Sequence, residues 1–290
     1  GTTVNFSASG SRVQQFEWDM DDGTLLRGPS VQHTYAAPGA YLPRLIITDS
    51  AGCRVLIAAT DSVRIFSPVR MGAGNRVCHG AALGCEPQDL GYTPEKSKPI
   101  TIGNHNQFKE NVNISRGVKT TEGTVIGDNN YFMCGFHAGH DTRFGNHNVF
   151  GPNSAIAGHV ILGDRVFVSG LVAIHQFVNI GDYAMLGGCA KIVKDVPPYT
   201  TADGNPARIV GLHVVGLRRG GFPAEARSAI KKTYQTIYHS DLNIAQAMAV
   251  LEGNIYSDEE ERIAAFFLNS ERGVVQNPDG STDVYFGPAA

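Results

Sequence analysis

His140, Gly158 and Gln176 stand eighteen residues apart, and the side chains around them are of the kinds that move protons or bind metals. Asp141 follows His140 directly, His137 precedes it by three residues, and His159 and His175 are the immediate neighbours of Gly158 and Gln176. The chain has ten histidines, so this is a dense cluster, and it admits three readings. One His could act as general base, poised by the adjacent carboxylate while the others bind substrate. The imidazoles could ligate a metal, although Gln is a poor zinc ligand and the rise between coils outreaches a single ion for several of them. Or the column could be a ladder of stacked polar side chains that stabilises one corner of the fold.

The element that would stack them is written in the apolar residues. From Ile102 to Ile192 a position recurs every six residues: Ile102, Phe108, Ile114, Thr120, Ile126, Phe132, Ala138, Phe144, Phe150, Ile156, Leu162, Val168, Ile174, Ile180, Leu186, Ile192. Only Thr120 and Ala138 are not large and apolar, and Gly often follows the repeat position, as at Gly103, Gly127, Gly139 and Gly145. Helices and ordinary amphipathic strands do not sustain this period. A hexapeptide β-helix does, because each short strand turns one side chain inward and each corner needs a permissive residue. Three strands make one coil, so residues eighteen apart lie above one another at about 4.8 Å, and the polar cluster spans about 10 Å of one corner. Ile65, Met71, Val77 and Leu83 continue the period out of phase, so the stretch Gly84 to Pro99, with Pro87, Pro94 and Pro99, must loop out of the coil. Loops ejected from a solenoid corner are often its functional insertions.

Three other segments flank the coil, which is expected over residues 64–205. Residues 1–63 carry no hexads and read as a small β-sandwich, with Val4 alternating with Phe6, Leu45 with Ile47, and turns at Pro38-Gly39 and Ser50-Ala51-Gly52. Residues 206–275 are expected to be helical: Ala226, Ile230, Tyr234 and Ile237 form one stripe, Ile244, Met248, Leu251 and Ile255 a second, and Ile263, Phe266 and Phe267 a third. Pro223 suits a helix start, and residues 276–290 read as a loose tail.

Composition narrows the function classes. A net charge of −3 gives no reason to expect nucleic acid. No apolar run reaches the roughly 18 residues of a membrane span, and no leader-like segment is expected. Five cysteines, odd in number and without CxxC spacing, argue against a disulfide framework or structural zinc, so a reducing, cytoplasmic setting is expected.

The ordered motifs Ile126-Gly-Asp-Asn-Asn, His137-Ala-Gly-His140-Asp141, Ala157-Gly158-His159-Val160, Ala173-Ile-His175-Gln176-Phe177, Gly187-Gly-Cys189, Asp195-Val-Pro-Pro-Tyr199, Gly204-Asn205 and Gly216-Leu-Arg-Arg219 resemble the UDP-N-acetylglucosamine O-acyltransferase family of lipid A synthesis, from about Val63 to Val274. The resemblance implies a mainly β chain: a left-handed parallel β-helix with a C-terminal α-helical domain, assembled as a homotrimer with sites between neighbouring β-helices. It implies transfer of a 3-hydroxyacyl group from acyl carrier protein to the 3-hydroxyl of a UDP-amino sugar, with neither cofactor nor metal. Under it, His140 matches the general base, Asp141 its orienting carboxylate, and Gly158 the amide that serves the oxyanion. Gln88, Asp89, His137, His159, His175 and Gln176 match substrate contacts, Arg219 a phosphate contact, and Gly188 a position that helps set acyl length.

Departures from the family pattern cluster at the nucleotide end. Gly91 replaces a lysine, for which Lys96 or Lys98 is expected to compensate; Ser115 replaces a His; His213, Val215 and Gly220 replace an Asn, a Glu and an Arg. Losing a carboxylate and an Arg would cost a few kcal/mol of binding, so altered nucleotide-sugar recognition is expected.

At the other end, Val4-Asn-Phe6, Phe16-Glu-Trp18-Asp19-Met-Asp21-Asp22-Gly23, His33-Thr-Tyr35, Pro38-Gly39-Ala-Tyr41 and Thr48-Asp49-Ser-Ala-Gly52 resemble the PKD domain, which implies an immunoglobulin-like β-sandwich with Trp18 in its core. Asp19, Asp21 and Asp22 could chelate Ca²⁺ or close a turn on their own amides. The basic run Arg218, Arg219, Arg227, Lys231, Lys232 could dock an acidic carrier or be a solvated helix face. Two further functions stand beside the acyltransferase: a trimeric scaffold that displays PKD domains after losing activity, and an enzyme for another sugar, such as a 3-amino sugar.

Overall fold

The computed structural model describes residues 2–10, 13–36, 39–58, 63–65, 69–93, 96–240, 242–253 and 257–275. The expected tail 276–290, Pro38 and Ile255 lie outside them.

The hexads wind into a three-sided parallel coil. One sheet stacks Val69–Met71, Ile100–Ile102, Thr124–Ile126, Arg143–Phe144, Ile161–Leu162 and Asn179–Ile180. The second stacks Arg76–Val77, Gln107–Phe108, Tyr131–Phe132, Val149–Phe150, Phe167–Val168 and Met185–Leu186, and the third Ala82–Cys85, Asn113–Ser115, His137–Ala138, Ala155–Ile156, Ala173–Ile174 and Lys191–Ile192. From Ile102 onward the paired repeat residues are buried, whereas Val77 in the first coil is exposed, and Phe108, Phe132 and Phe150 stack with ring centroids 4.9 and 4.7 Å apart. Phe136 and Phe144 lie against this column and fill the space beside the small Ala138.

Corners are closed by side chains of one coil bonding the backbone of the next. Asn106 Oδ1 accepts from the Asn130 amide, Asn130 Oδ1 from Asn148, and Asn148 Oδ1 from Val166, at 2.7 to 2.8 Å. Asp128, Asn146, Asp164 and Asp182 form a second such ladder. These bonds satisfy buried amides that the corners would otherwise orphan.

Two details correct the count along the sequence. Ile65 is not a coil residue, because Val63–Ile65 pairs antiparallel with Gly39–Tyr41. Thr120 is not one either. Ile102 pairs with Ile126 and Phe108 with Phe132, whereas later coils pair residues eighteen apart, such as Phe132 with Phe150. The six residues 118–123 therefore leave the coil, and they keep its phase because they amount to one hexad. The expected ejection after Leu83 is present: Met71 pairs with Ile102 and Leu83 with Ile114.

Above the last coil, Thr200–Gly204 and Ala207–Leu212 close the second sheet as an antiparallel hairpin. Four helices follow among the described residues: α1 (Val214–Arg219), α2 (Ala224–Tyr238), α3 (Ile244–Glu252) and α4 (Asp258–Leu268). The three stripes predicted from spacing fall on α2, α3 and α4, and Ile230, Tyr234, Ile237, Met248, Leu251, Ile263 and Phe267 are buried. Pro223 is the N-cap of α2. Asn243 and Gln246 form a capping box on α3, and Ser257 caps α4 ahead of four acidic residues that suit the helix dipole. The Tyr234 hydroxyl donates to Pro198 O at 2.6 Å and ties α2 to the coil. None of the described helices is long and apolar enough to cross a membrane.

At the other end, Val13–Asp19 lies between Leu25–Arg27 and Arg44–Asp49, Arg44–Asp49 pairs onward with Arg54–Ala58, and Thr2–Ser7 pairs with Ser30–Tyr35, all antiparallel. Trp18, Met20, Tyr35 and Leu45 form the core, with Phe6 and Ile47 against it. The acidic turn bonds its own surroundings: Asp19 accepts from the Asp21 amide, Asp22 from Thr24 and Asp21 from Leu42, while Asp22 also meets His33 at 2.6 Å.

Candidate active site

His140 and Asp141 sit on the corner between His137–Ala138 and Arg143–Phe144. Asp141, His159 and Phe177 occupy one column of that corner, each with positive φ (58°, 62° and 64°). This conformation costs a non-glycine residue roughly 1–2 kcal/mol. On this corner the Asp141 side chain is fully buried and His140 is 13% exposed.

Asp141 is buried, yet it is held as an anion. The amides of Val118, Lys119 and Thr120 and the Thr120 hydroxyl all donate to its oxygens, at 2.7 to 3.2 Å, and His140 Nδ1 lies 2.8 Å from Oδ2. Burial pushes this carboxyl upward, but the bonds from His140, from Thr120 and from the loop amides outweigh it and hold it far below the usual range. The donors come from the ejected hexad, whose consecutive amides form a nest for a negative charge. Thr124 completes the support by accepting the Asp141 amide at 2.9 Å and donating to Ser115 O at 2.8 Å. An ionised Asp141 fixes His140 as the Nδ1–H tautomer and leaves Nε2 as the free acceptor.

Around Nε2 four further groups converge. Asp89 Oδ2 is 3.9 Å away, and Lys119 Nζ is 3.0 Å from the same oxygen. Gly158 lies one coil above: a Cβ there would stand 3.1 Å from His140 Nε2 and Cε1, so only glycine leaves the ring unpressed. The Gly158 amide has no acceptor among the described residues. The His159 ring stacks on Phe177 at 4.6 Å, meets His140 edge-on at 5.1 Å, and buries an Nε2 without a hydrogen-bond partner. Burial lowers the pKa of His159.

Of the residues singled out from sequence, His140, Asp141, Gly158, His159 and Asp89 are brought together. His175 and Gln176 are exposed one coil above Gly158, as the register of Ile156 with Ile174 requires. His137 precedes His140 on its strand and bonds Asn113 Oδ1 at 3.0 Å; burial lowers its pKa. Gln88 is exposed beside Asp89. Gly188 lies on a different corner, between Met185–Leu186 and Lys191–Ile192, and Arg219 ends α1. Sequence reasoning missed Lys119, Thr120, Thr124 and Phe177. The odd Thr among apolar repeat positions was the available signal for the loop.

At the altered positions, Lys96 brings its ammonium to Gly91 O at 2.6 Å, and the Lys98 backbone amide donates to Gly117 O at 2.9 Å. Ser115 is buried with an unpartnered hydroxyl. His213 turns inward to Tyr183 O at 2.9 Å, and a Cβ on Gly216 would collide with its ring. In the basic run, Arg227 donates to Phe222 O at 2.6 Å while Arg218 and Arg219 are exposed.

The ligand atoms of His140, Asp141 and His159 lie within 4.8 Å of one another. The two Asp141 oxygens already accept from the loop and from His140, which suits a proton-transfer pair better than a metal shell. Clefts of about 370 and 300 Å³ lie where α4 meets the coil around Asp182 and Arg262, and neither includes His140.

A family model described as UDP N-acetylglucosamine O-acyltransferase, domain 2, matches residues 195–275, and a PKD domain model matches residues 1–65. The acyl-[acyl-carrier-protein]–UDP-N-acetylglucosamine O-acyltransferase of Gloeothece citriformis is 42% identical over 190 residues, covering 66% of this chain and 68% of that one. Its counterpart from Burkholderia orbicola is 38% identical over 212 residues, covering 71% and 80%. Among solved structures, a UDP-N-acetylglucosamine acyltransferase from Bacteroides fragilis is similar at TM-score 0.68 and 37% identity, covering 72% of this chain and 82% of that one. One from Francisella novicida is similar at TM-score 0.70 and 30% identity, covering 75% and 83%.

Proposed function

Because the chain belongs to the UDP-N-acetylglucosamine O-acyltransferase family, we propose that it moves a 3-hydroxyacyl group from acyl carrier protein to the 3-hydroxyl of UDP-N-acetylglucosamine or a close UDP-amino sugar, with His140 as general base. The observation that carries this reading is the bond from His140 Nδ1 to an Asp141 kept ionised by the 118–123 loop, which leaves Nε2 as the acceptor.

A sugar hydroxyl is a weak nucleophile, so its proton must leave as it attacks the thioester carbonyl. His140 Nε2 takes that proton while the new C–O bond forms, and Asp141 steadies the imidazolium. The tetrahedral oxyanion is met by the Gly158 amide, whose hydrogen bond is free for it. Collapse breaks the C–S bond, and the carrier thiolate leaves with the proton returned from His140. His159, with its buried unpartnered Nε2, is suited to the acceptor sugar. Gln88, Asp89, His137, His175, Gln176, Gly188 and Arg219 complete substrate binding.

A homotrimer, in which a neighbouring chain brings Gly188 or Arg219 to the His140 corner, would gather residues that one chain leaves on different elements. In this reading the parallel coil from Val69 onward winds left-handed, the N-terminal strands form an immunoglobulin-like sandwich that caps its first coil, α1 to α4 form the helical domain, and the enzyme works in the cytoplasm. The inward turn of His213 favours altered nucleotide contacts, since its ring is committed to Tyr183 O.

The test is acyl transfer by purified protein, with 3-hydroxyacyl carrier proteins of several lengths and a panel of UDP-amino sugars, beside His140→Ala. Product that disappears in the variant is expected. A well-folded protein that turns over no pair would favour the scaffold bearing PKD domains instead.

A further inference from the structure

Two segments leave the coil, and they meet at one point. The ejected hexad 118–123 holds Asp141 through its amides and the Thr120 hydroxyl. Its Lys119 side chain reaches the other way, to Asp89 Oδ2 at 3.0 Å. Asp89 belongs to the segment ejected after Cys85, and the Gly91 and Tyr92 amides close a turn on it at 2.7 and 2.9 Å. The Gly91 amide and then the Lys119 ammonium hold the Asp89 carboxyl below the usual range. Other nearby cations point elsewhere: Lys96 bonds Gly91 O, and Arg116 bonds Gly84 O, Ser97 and the Tyr92 hydroxyl. The Lys119 side chain is 61% exposed and Asp89 only 17%, so a long solvated stem is held by its partner. The anion it holds stands 3.9 Å from His140 Nε2.

We propose that Lys119 is a positioning residue that latches the Asp89 loop over His140 and thereby sets where the acceptor sugar's hydroxyl stands. The latch depends on the acyltransferase reading for its purpose but not for its existence. It gives one short loop two tasks: its backbone orients the base from behind through Asp141, and its side chain fixes the anion in front. A carboxylate at that place can accept a second hydroxyl of the sugar and hold the reacting one in line with Nε2.

Lys119→Met, Lys119→Arg, Asp89→Asn and the Lys119→Met/Asp89→Asn pair test this. Lys119→Met keeps the stem and every backbone bond but removes the charge. It is expected to raise the KM for the UDP-sugar about three- to fivefold, the scale of a partly exposed ion pair, with the carrier-protein KM unchanged. Lys119→Arg should restore it, and the double variant should be no worse than Asp89→Asn, because both changes break one link. Amide hydrogen exchange at Gly91 and Tyr92 should quicken in Lys119→Met and not in Lys119→Arg. A wild-type acceptor KM in Lys119→Met, or effects that multiply in the double variant, would overturn the positioning role. Unchanged exchange at Gly91 and Tyr92 would overturn the latch itself. Were the wild-type protein to turn over no acceptor, the acyltransferase reading would fail while the exchange measurement still decided the latch.

Discussion

The Thr120 hydroxyl donates to Asp141 Oδ1 at 2.7 Å, from a loop that the coil ejects before Thr124. The contact joins a segment without regular structure to a fully buried charge. Removing the hydroxyl in Thr120→Val leaves the Thr120 amide as donor to the same oxygen, so Asp141 stays ionised but is held less firmly. A hydrogen bond to a charged group contributes about 1.5–3 kcal/mol. Thr120→Val is therefore expected to lower stability by an amount in that range in urea unfolding and to reduce kcat, with the carrier-protein KM unchanged.

Asp141 also sets a pH dependence. Its carboxyl sits far below its ordinary value of 3.8 when folded, so between those values the unfolded chain binds the extra proton. The stabilisation is fully present above about pH 3.8 and is lost as pH falls toward the folded value. Asp141→Asn places an amide against three backbone donors and removes the titration. The stability difference between wild type and Asp141→Asn should be large at pH 6 and shrink steadily below pH 4; a gap that stays constant with pH would contradict this origin.

Gly158→Ala isolates the space above the base. The added Cβ would meet both the His140 ring and the His140 carbonyl oxygen at 3.1 Å, tighter than ordinary contact, so the imidazole and the backbone that carries it must shift by a few tenths of an ångström. The Gly158 amide is untouched. The expected outcome is a kcat fall of roughly tenfold or more, as for a general base moved out of line.

Phe132 tests the core. It is fully buried between Phe108 and Phe150 and touches Phe136 and Phe144. Phe132→Ala should cost roughly 3–5 kcal/mol, because the stacked rings above and below cannot close the gap. Loss of the parallel coil's denaturant midpoint, without change in the pairing of the PKD-like strands, is the measurement.

Why the coil was legible and its loop was not follows from arithmetic. A period of six reports any insertion that is not a multiple of six, which is why the segment after Leu83 shows as a phase slip between Leu83 and Ile102. The insertion 118–123 equals one period, so the repeat passes through it silently and counts Thr120 as core. The vertical column of His140, Gly158 and Gln176 survived because all three lie beyond that loop, where each coil is eighteen residues. Asp89 reached the site by resemblance and Lys119 by neither route, since each comes from an ejected loop whose path is set by tertiary bonds. Gly188 and Arg219 were grouped with the base by resemblance, and on one chain they stand at another corner and in α1.

His159 supplies the remaining prediction. Its Nε2 is buried, faces Asp141 at 4.0 Å, and has no hydrogen-bond partner, which costs about 1–3 kcal/mol in the free protein. A bound sugar hydroxyl would satisfy it and recover that cost only in the complex. Burial favours the neutral ring, so the folded pKa lies below 6.5 and the ring charges only as pH falls through that folded value. His159→Phe preserves the stack on Phe177 at 4.6 Å while deleting the nitrogen. The variant should be at least as stable as wild type and bind the UDP-sugar roughly tenfold more weakly, with carrier-protein KM unchanged. A variant that loses stability instead would mean that His159 serves the corner of the coil rather than the substrate.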